Sequence, residues 1–553
     1  KGEFVIVVSG AEGKEIDSNF VYSNLIRFNI RNDQMPGQDI KSFHDDWLNR
    51  YKNNKGIDVK DKIQGTFLWF FNGDIKGNEL KIYIPMDYLH IKKGANQLFD
   101  FLSSTNIEHQ SKIASIIRND NIVLRVNSME DAKRIIDYVG HKTIADVHLG
   151  DIGLPIGEVI YACLRDNMTP EDLTLEYLNK VYPEMSALVK MDEKIKEECA
   201  SIIKDVQDKK NYLDYWKKIC EISTNDIKRL YKYLDISFDY WYSESDAYDY
   251  IPKVKEYLEE KDLLKDSEGA KVVFINKDTD KVEYPPLIFQ KSNGAYLYQS
   301  SDLGTIYQRM EDFNPNHILY VTDQRQSMHF EQVFRVCELS GMSKDTTLLH
   351  LPHGTINGLD GKPYKTRSGD TPKLDDLFNE VKEIFISKKE SNKDMKEEDI
   401  NKIVNAILKF ADLQNSRDRD YIFDINKFSE TTGKTGPYIL YTYLRMNKIA
   451  LKYETNINNL SNKIYNNYDR DLRLELLNLD SSIMNSFKEF KPHYIAEFIY
   501  NVCVLMNSFY QNNHISNLED EEKLNDWVSV IKLANKIIKE CLHLLMIDIP
   551  TEM

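Results

Sequence analysis

The sequence predicts an α/β protein: a parallel-sheet core carrying a helical insertion, an all-helical bundle after it, and a small α/β or α+β region before it. Short β-branched and aromatic runs alternate with helix-like segments through the middle of the chain, the pattern of strand–helix–strand units. Helical periodicity without strand signals fills the last third. At 553 residues and 42% hydrophobic content, the chain can support several packed cores; the usual domain size suggests roughly three or four.

In residues 1–138, FVIVVSG, GTFLWFFNGD and LKIYIPMDY read as strands, and IEHQSKIASIIRNDNIVLRVNSMEDAKRIIDYV reads helix, strand, helix. A core at 139–385 follows. Its strands are KTIADVHLG, KVVFINK, GAYLYQS, NHILYVTD and TTLLHLPHG, and MHFEQVFRVCELSG is a helix between the last two. Within it, about 165–265 is an amphipathic helical insertion with apolar residues at every third or fourth position. From 386 to 553, KEEDINKIVNAILKFADLQ, GPYILYTYLRMNKIALKYETNI, EFIYNVCVLMNSFYQ and DWVSVIKLANKIIKECLHLL are helices of a bundle. No internal repeat or low-complexity tract appears.

The net charge of −16 excludes a uniformly basic nucleic-acid coat but leaves room for a local basic groove. Six dispersed cysteines, without CxxC or a Cys/His cluster, indicate neither a zinc site nor a disulfide framework, so a reducing cytoplasm is expected and no metal site is read. No run of 18 apolar residues and no cleavable apolar leader is found, so no membrane partner is expected. The chain opens on Lys1 rather than methionine, from which a start upstream or a removed terminus is expected.

Four segments carry chemistry. The loop GKPYKTRSGDTPKL, Gly361 to Leu374, puts Lys362, Lys365 and Arg367 on one glycine-bounded segment, suited to a developing negative charge on a nucleotide triphosphate; a solvated charged turn would read the same. In VHLGDIGLPIG, glycines 150, 153 and 157 follow a strand and open a helix, which lets backbone approach a ligand at the carboxyl edge of a sheet, with His148 available as a hydrogen-bonding group. In GAYLYQSSDLG, Tyr298 and Asp302 stand four apart where a strand leads into a helix, so a hydroxyl and a carboxylate can converge on a guanidinium or ammonium; alternatively Asp302 caps that helix. In TDQRQSMHFEQ, Gln326 and His329 either face a substrate or are ordinary polar residues at a helix start.

Taken with ADLQNSRDRDYIFD, GPYILYTYLRM, NSFYQNNHI and the closing LLMIDIPTEM, these strings resemble the arginyl-tRNA synthetases from about His141 to Met553. The resemblance implies a Rossmann-type core, an anticodon-binding helical domain, and a probe-ready set of roles: Tyr298, Asp302 and Gln326 hold arginine, Lys362, Lys365 and Arg367 act on the ATP phosphates, and His148, Gly150, His353 and Gly354 line the nucleotide site. Tyr441 and Arg445 would grip tRNA by stacking and by charge. ATP as substrate, Mg²⁺, arginine and tRNA are the implied ligands, and a monomer is expected.

The chain departs from that family in three places. No His-x-Gly-His string occurs before VHLGD, where NIVLR has the better spacing and LHIKKG, with His90, keeps one histidine; GDIGLPIG has Ile152 and Pro155 where tryptophan and glutamine are common; and residues 1–138 lack the family's usual tRNA-elbow domain. The expected function is arginine activation by ATP and transfer to tRNA. The alternatives are a non-catalytic tRNA-binding paralogue whose function lies in the N-terminal domain, and an enzyme delivering activated arginine to another acceptor.

Overall fold

The computed structural model describes residues 143–362, 374–388, 394–453, 460–461, 463–515 and 518–553, and before them 7–9, 49, 58–64, 67–75, 80–84, 91–114, 122–128, 130–131 and 134–135. Two compact units result, 1–143 and 144–553.

The first unit is a six-stranded antiparallel sheet in the order β1-β4-β6-β5-β3-β2: β1 Val7–Ser9, β2 Asp58–Gln64, β3 Phe67–Asn72, β4 Leu80–Ile84, β5 His109–Ala114 and β6 Ile122–Val126. Helix α1, Ile91–Ser104, buries Leu98, Phe99 and Leu102. Phe99 stacks on Phe70 of β3 with centroids 4.0 Å apart. The helix expected over IEHQSKIAS is a strand instead. His109, Ser111 and Ile113 alternate inward, and the two polar ones are bonded to each other, His109 Nδ1 to Ser111 Oγ at 2.8 Å.

The second unit opens with β7, Asp146–Leu149, and helices α2 Leu154–Arg165, α3 Leu175–Met191, α4 Glu193–Gln207 and α5 Leu213–Tyr233. Gly157 lets α2 and α4 touch, since a Cβ there would stand 2.3 Å from the Cys199 carbonyl oxygen. The helical run stops at Tyr233, and β8, Tyr240–Ser243, pairs parallel with β7, so a core strand lies inside the span expected to be insertion. Helix α6, Ile251–Glu260, and the antiparallel strands β9 Leu264–Ser267, β10 Ala270–Val273 and β11 Leu287–Gln290 follow. Helix α7, Tyr298–Phe313, β12 His317–Asp323, α8 Ser327–Ser340 and β13 Thr347–His353 form a strand–helix–strand unit with β12 and β13 parallel. Among the described residues three strand pairs are parallel, β7–β8, β12–β13 and, further on, Ile356–Asn357 with Tyr421–Ile422. The strand expected over GAYLYQS is replaced by the start of α7, where Ser300 Oγ bonds the Phe289 carbonyl and Leu297 N reaches Ser300 Oγ.

Strand β14, Ile356–Asn357, pairs with β15, Tyr421–Ile422, which arrives after α9 Leu374–Ser387 and α10 Glu397–Leu413. The rest is helical as expected: α11 Ile425–Phe428, α12 Gly436–Ala450, α13 Asn467–Leu476, α14 Leu479–Glu489, α15 His493–Asn513 and α16 Glu521–Leu544. Phe410, Ile439, Phe509 and Trp527 lie in one apolar core. A charged knot supports its edge: Arg473 bridges the buried carboxylates of Asp469 and Asp526, each at 2.6 Å, and donates to the Ser461 carbonyl at 2.9 Å.

Candidate active site

His148 and His353 stand at the carboxyl ends of β7 and β13, and Gln326 in the turn after β12, where parallel strands place their ligands. The turn after β7 is tied to the end of β8. Asp151 accepts from the Ser245 backbone at 2.9 Å and hydroxyl at 2.6 Å, and its carbonyl accepts from Trp216 Nε1 at 2.8 Å. His148 and Gly150 are both exposed there. Desolvation lowers the His148 pKa most, against the opposing pull of Asp302.

Helix α7 supplies the other wall. Tyr298 and Asp302 are one turn apart on it, not at a strand end, and therefore share a face. The Tyr298 hydroxyl lies 3.9 Å from where a Cβ on Gly153 would stand, which brings α7 against the β7 turn. Further along α7, Arg309 pairs with Asp146 of β7 at 2.6 Å and pins the helix to that strand.

Between Tyr298 and Asp302 lies a group missed in the sequence reading, Glu244, the first residue after β8. It is 7% exposed and accepts from Ser301 Oγ at 3.0 Å. Burial, with added repulsion from Asp302 and Asp151, pushes its carboxyl up to about 7. Burial and the Glu244 charge raise the Tyr298 hydroxyl as well. Glu244, Asp302 and Tyr298 thus lie near enough to feel one another's charge, two carboxyls and a phenol whose oxygens suit a planar cation with several N–H groups. The available signal was positional only: Glu244 follows a strand at the same sheet edge as His148.

Asp302 is hydrogen-bonded to His329 Nε2 on α8, and the two side chains are 15% and 22% exposed. Asp302 therefore does not cap α7. Gln326 ends the short turn after β12 and is exposed. Its neighbour Arg325 folds back on Asp323, which holds that carboxyl well below its usual range.

His353 pairs with Asp323 across the ends of β12 and β13. Gly354 N donates to the Arg417 carbonyl at 3.0 Å, and a Cβ on Gly354 would meet the Arg419 carbonyl carbon at 2.4 Å, so only glycine allows this approach. Arg417 in turn bonds the Pro352 carbonyl. Lys362 closes a turn, its carbonyl accepting from Gly358 N at 2.7 Å and its N–H reaching Asp360. Lys365 and Arg367 lie outside the described residues. In the helical domain, Tyr441 and Arg445 share a face of α12; Tyr441 is exposed, and Arg445 stacks over Tyr510 of α15 at 5.3 Å.

Among the described residues no helix is long and apolar enough to cross a membrane, and no group of three His, Cys, Asp or Glu is arranged to hold a metal.

Residues 124–425 match the model of the class I tRNA synthetase (R) catalytic domain, and residues 439–553 match that of the DALR anticodon binding domain. The arginine–tRNA ligase of Agathobacter rectalis is 37% identical over 457 residues, covering 77% of this chain and 76% of that protein. That of Alkaliphilus oremlandii is 36% identical over 522 residues, covering 90% and 89%. Two solved arginyl-tRNA synthetases share the fold: that of Plasmodium falciparum, 20% identical with a TM-score of 0.59 over 87% of this chain and 96% of that one, and that of Thermus thermophilus, 17% identical with a TM-score of 0.61 over 76% and 77%.

Proposed function

The chain belongs to the class I tRNA synthetases of the arginine type, and from that premise we propose that it binds arginine, ATP and tRNA, activates arginine and transfers it to tRNA. The observation that carries the reading is the pairing of Glu244 and Asp302 beside Tyr298 at the carboxyl ends of the parallel strands. A guanidinium entering there meets two carboxylates and offers each a charge-assisted hydrogen bond.

With the side chain so held, the arginine carboxylate attacks the α-phosphorus of ATP, a new O–P bond forms, and pyrophosphate leaves. The terminal ribose hydroxyl of tRNA then attacks the activated carbonyl and AMP departs. Mg²⁺ bound to the nucleotide would supply charge to offset that of the phosphates. Lys362, Lys365 and Arg367 stabilise the triphosphate as charge develops. His148, its protonation disfavoured, serves as a neutral hydrogen-bonding group beside Gly150, while His353 and Gly354 border the nucleotide and Gln326 the amino acid. Residues 1–138, 139–385 and 386–553 act as N-terminal, catalytic and tRNA-reading parts, the last through Tyr441 and Arg445. The protein works as a monomer in the cytoplasm. The relatives that cover most of this chain are ligases, which favours this reading over a non-catalytic paralogue.

Arginine-dependent exchange of pyrophosphate into ATP, with and without tRNA, tests the activity, and calorimetric titration of arginine tests the pocket. Asp302→Ala is expected to lose both. Unchanged arginine binding in that variant would remove Asp302 from the site.

A further inference from the structure

We propose that His329 is a positioning residue for the cationic substrate: it holds one oxygen of Asp302 so that the other faces the guest. The proposal rests on the reading of Asp302 as the partner of arginine. Its starting observation is a symmetry in how the two pocket carboxylates are anchored. Ser301 Oγ donates to Oε1 of Glu244, and His329 Nε2 bonds Oδ2 of Asp302. Each acid is thus fixed at one oxygen by a protein group.

The two anchors differ in origin. Ser301 sits on α7 beside Asp302, whereas His329 comes from α8, after β12. Its ring is itself braced. It packs edge-on against Phe330, with centroids 5.0 Å apart and planes at 79°; Phe330, 5% exposed, stacks on His350 of β13 at 4.9 Å; and His350 Nε2 bonds Thr322 Oγ1 of β12 at 2.8 Å. The imidazole therefore ties a carboxylate borne by α7 to the β12–β13 pair through α8.

A guanidinium is a rigid fork, so a carboxylate free to rotate loses it more than it would lose a point charge. A ring nitrogen bonded to Oδ2 restricts the rotation and leaves Oδ1 for the substrate.

The test is calorimetric titration of arginine into the full chain and its variants, a readout that does not depend on turnover. His329→Ala is expected to weaken arginine binding about tenfold, the usual size for loss of a hydrogen bond to a charged group. His329→Gln places an amide N–H where Nε2 stood and is expected to return to within about threefold of the parent. Asp302→Asn is the control for the underlying reading. Should His329→Ala bind arginine like the parent while Asp302→Asn does not, His329 has no positioning role and the arginine pocket stands. Should the glutamine variant be as weak as the alanine variant, the residue acts by packing and the proposal fails. Should Asp302→Asn itself bind normally, the pocket assignment and this proposal fall together. If the alanine variant does not fold, the glutamine variant decides.

Discussion

Replacing Glu244 by glutamine should stabilise the ligand-free protein at mildly alkaline pH while weakening its hold on arginine. The native chain must bury this carboxylate beside Asp302 with the Ser301 hydroxyl as its partner, whereas the unfolded chain ionises it in water. Its carboxyl is displaced from an ordinary 4.5 to about 7, and a tenfold change in proton affinity is about 1.4 kcal/mol, so the ionised form carries an opposing contribution of about 3 kcal/mol. The sign follows from proton counting. Between 4.5 and about 7 the folded state holds more protons than the unfolded state, so this contribution to stability is complete below that window and lost as pH rises through it. Glutamine keeps the shape and has no proton to lose. Urea unfolding followed by tryptophan fluorescence should place the two proteins level near about pH 5, with a gap of about 2 to 3 kcal/mol favouring the variant near about pH 8. Calorimetry at the higher pH should find arginine bound more weakly by the variant. Parallel stability profiles across that range, or equal arginine affinity, would refute the reasoning.

Two further outcomes concern packing. Gly354→Ala drives a Cβ into the backbone of Arg419 and Asp420; thermal unfolding should register a loss of about 1 to 3 kcal/mol, the range for over-packing a close contact. Arg473→Met strands the buried carboxylates of Asp469 and Asp526 and should cost about 3 to 5 kcal/mol by urea titration, a loss that a second change of both aspartates to asparagine should largely recover.

Strands β12 and β13 were legible as apolar runs closed by polar turns, β7 from the longer KTIADVHLG run, and the helical domain from its period. Strand β8 was hidden in a stretch of helical period, and two further segments were misread for separate reasons. At His109 and Ser111 the inward face of β5 is polar, so the alternation that marks a strand is hidden, and it becomes visible only once the two side chains are seen bonded to each other. In GAYLYQS the aromatic residues favour a strand locally, but the contact of Ser300 with Phe289, eleven residues back, turns the chain into α7. Tyr298, Asp302 and Gln326 could be picked out by motif. Glu244 could not, because its neighbours in SESD read as a capped turn and its meaning comes from Ser301, 57 residues away. The same holds for His329, whose sequence context fits a helix start as well as a pocket.

The segment Arg417–Phe423 has a consequence for how this polypeptide can be divided. It follows α10, yet its Arg417 carbonyl receives Gly354 N, its Arg417 guanidinium holds Pro352, and its Tyr421 and Ile422 complete β14. A truncated chain ending near 385 would strip the far end of β13 of these mates and leave a raw seam beside His353. The shortest excised fragment able to keep that edge dressed runs past Phe423, so cutting by the apparent switch from strands to helices would sever a joint rather than a linker.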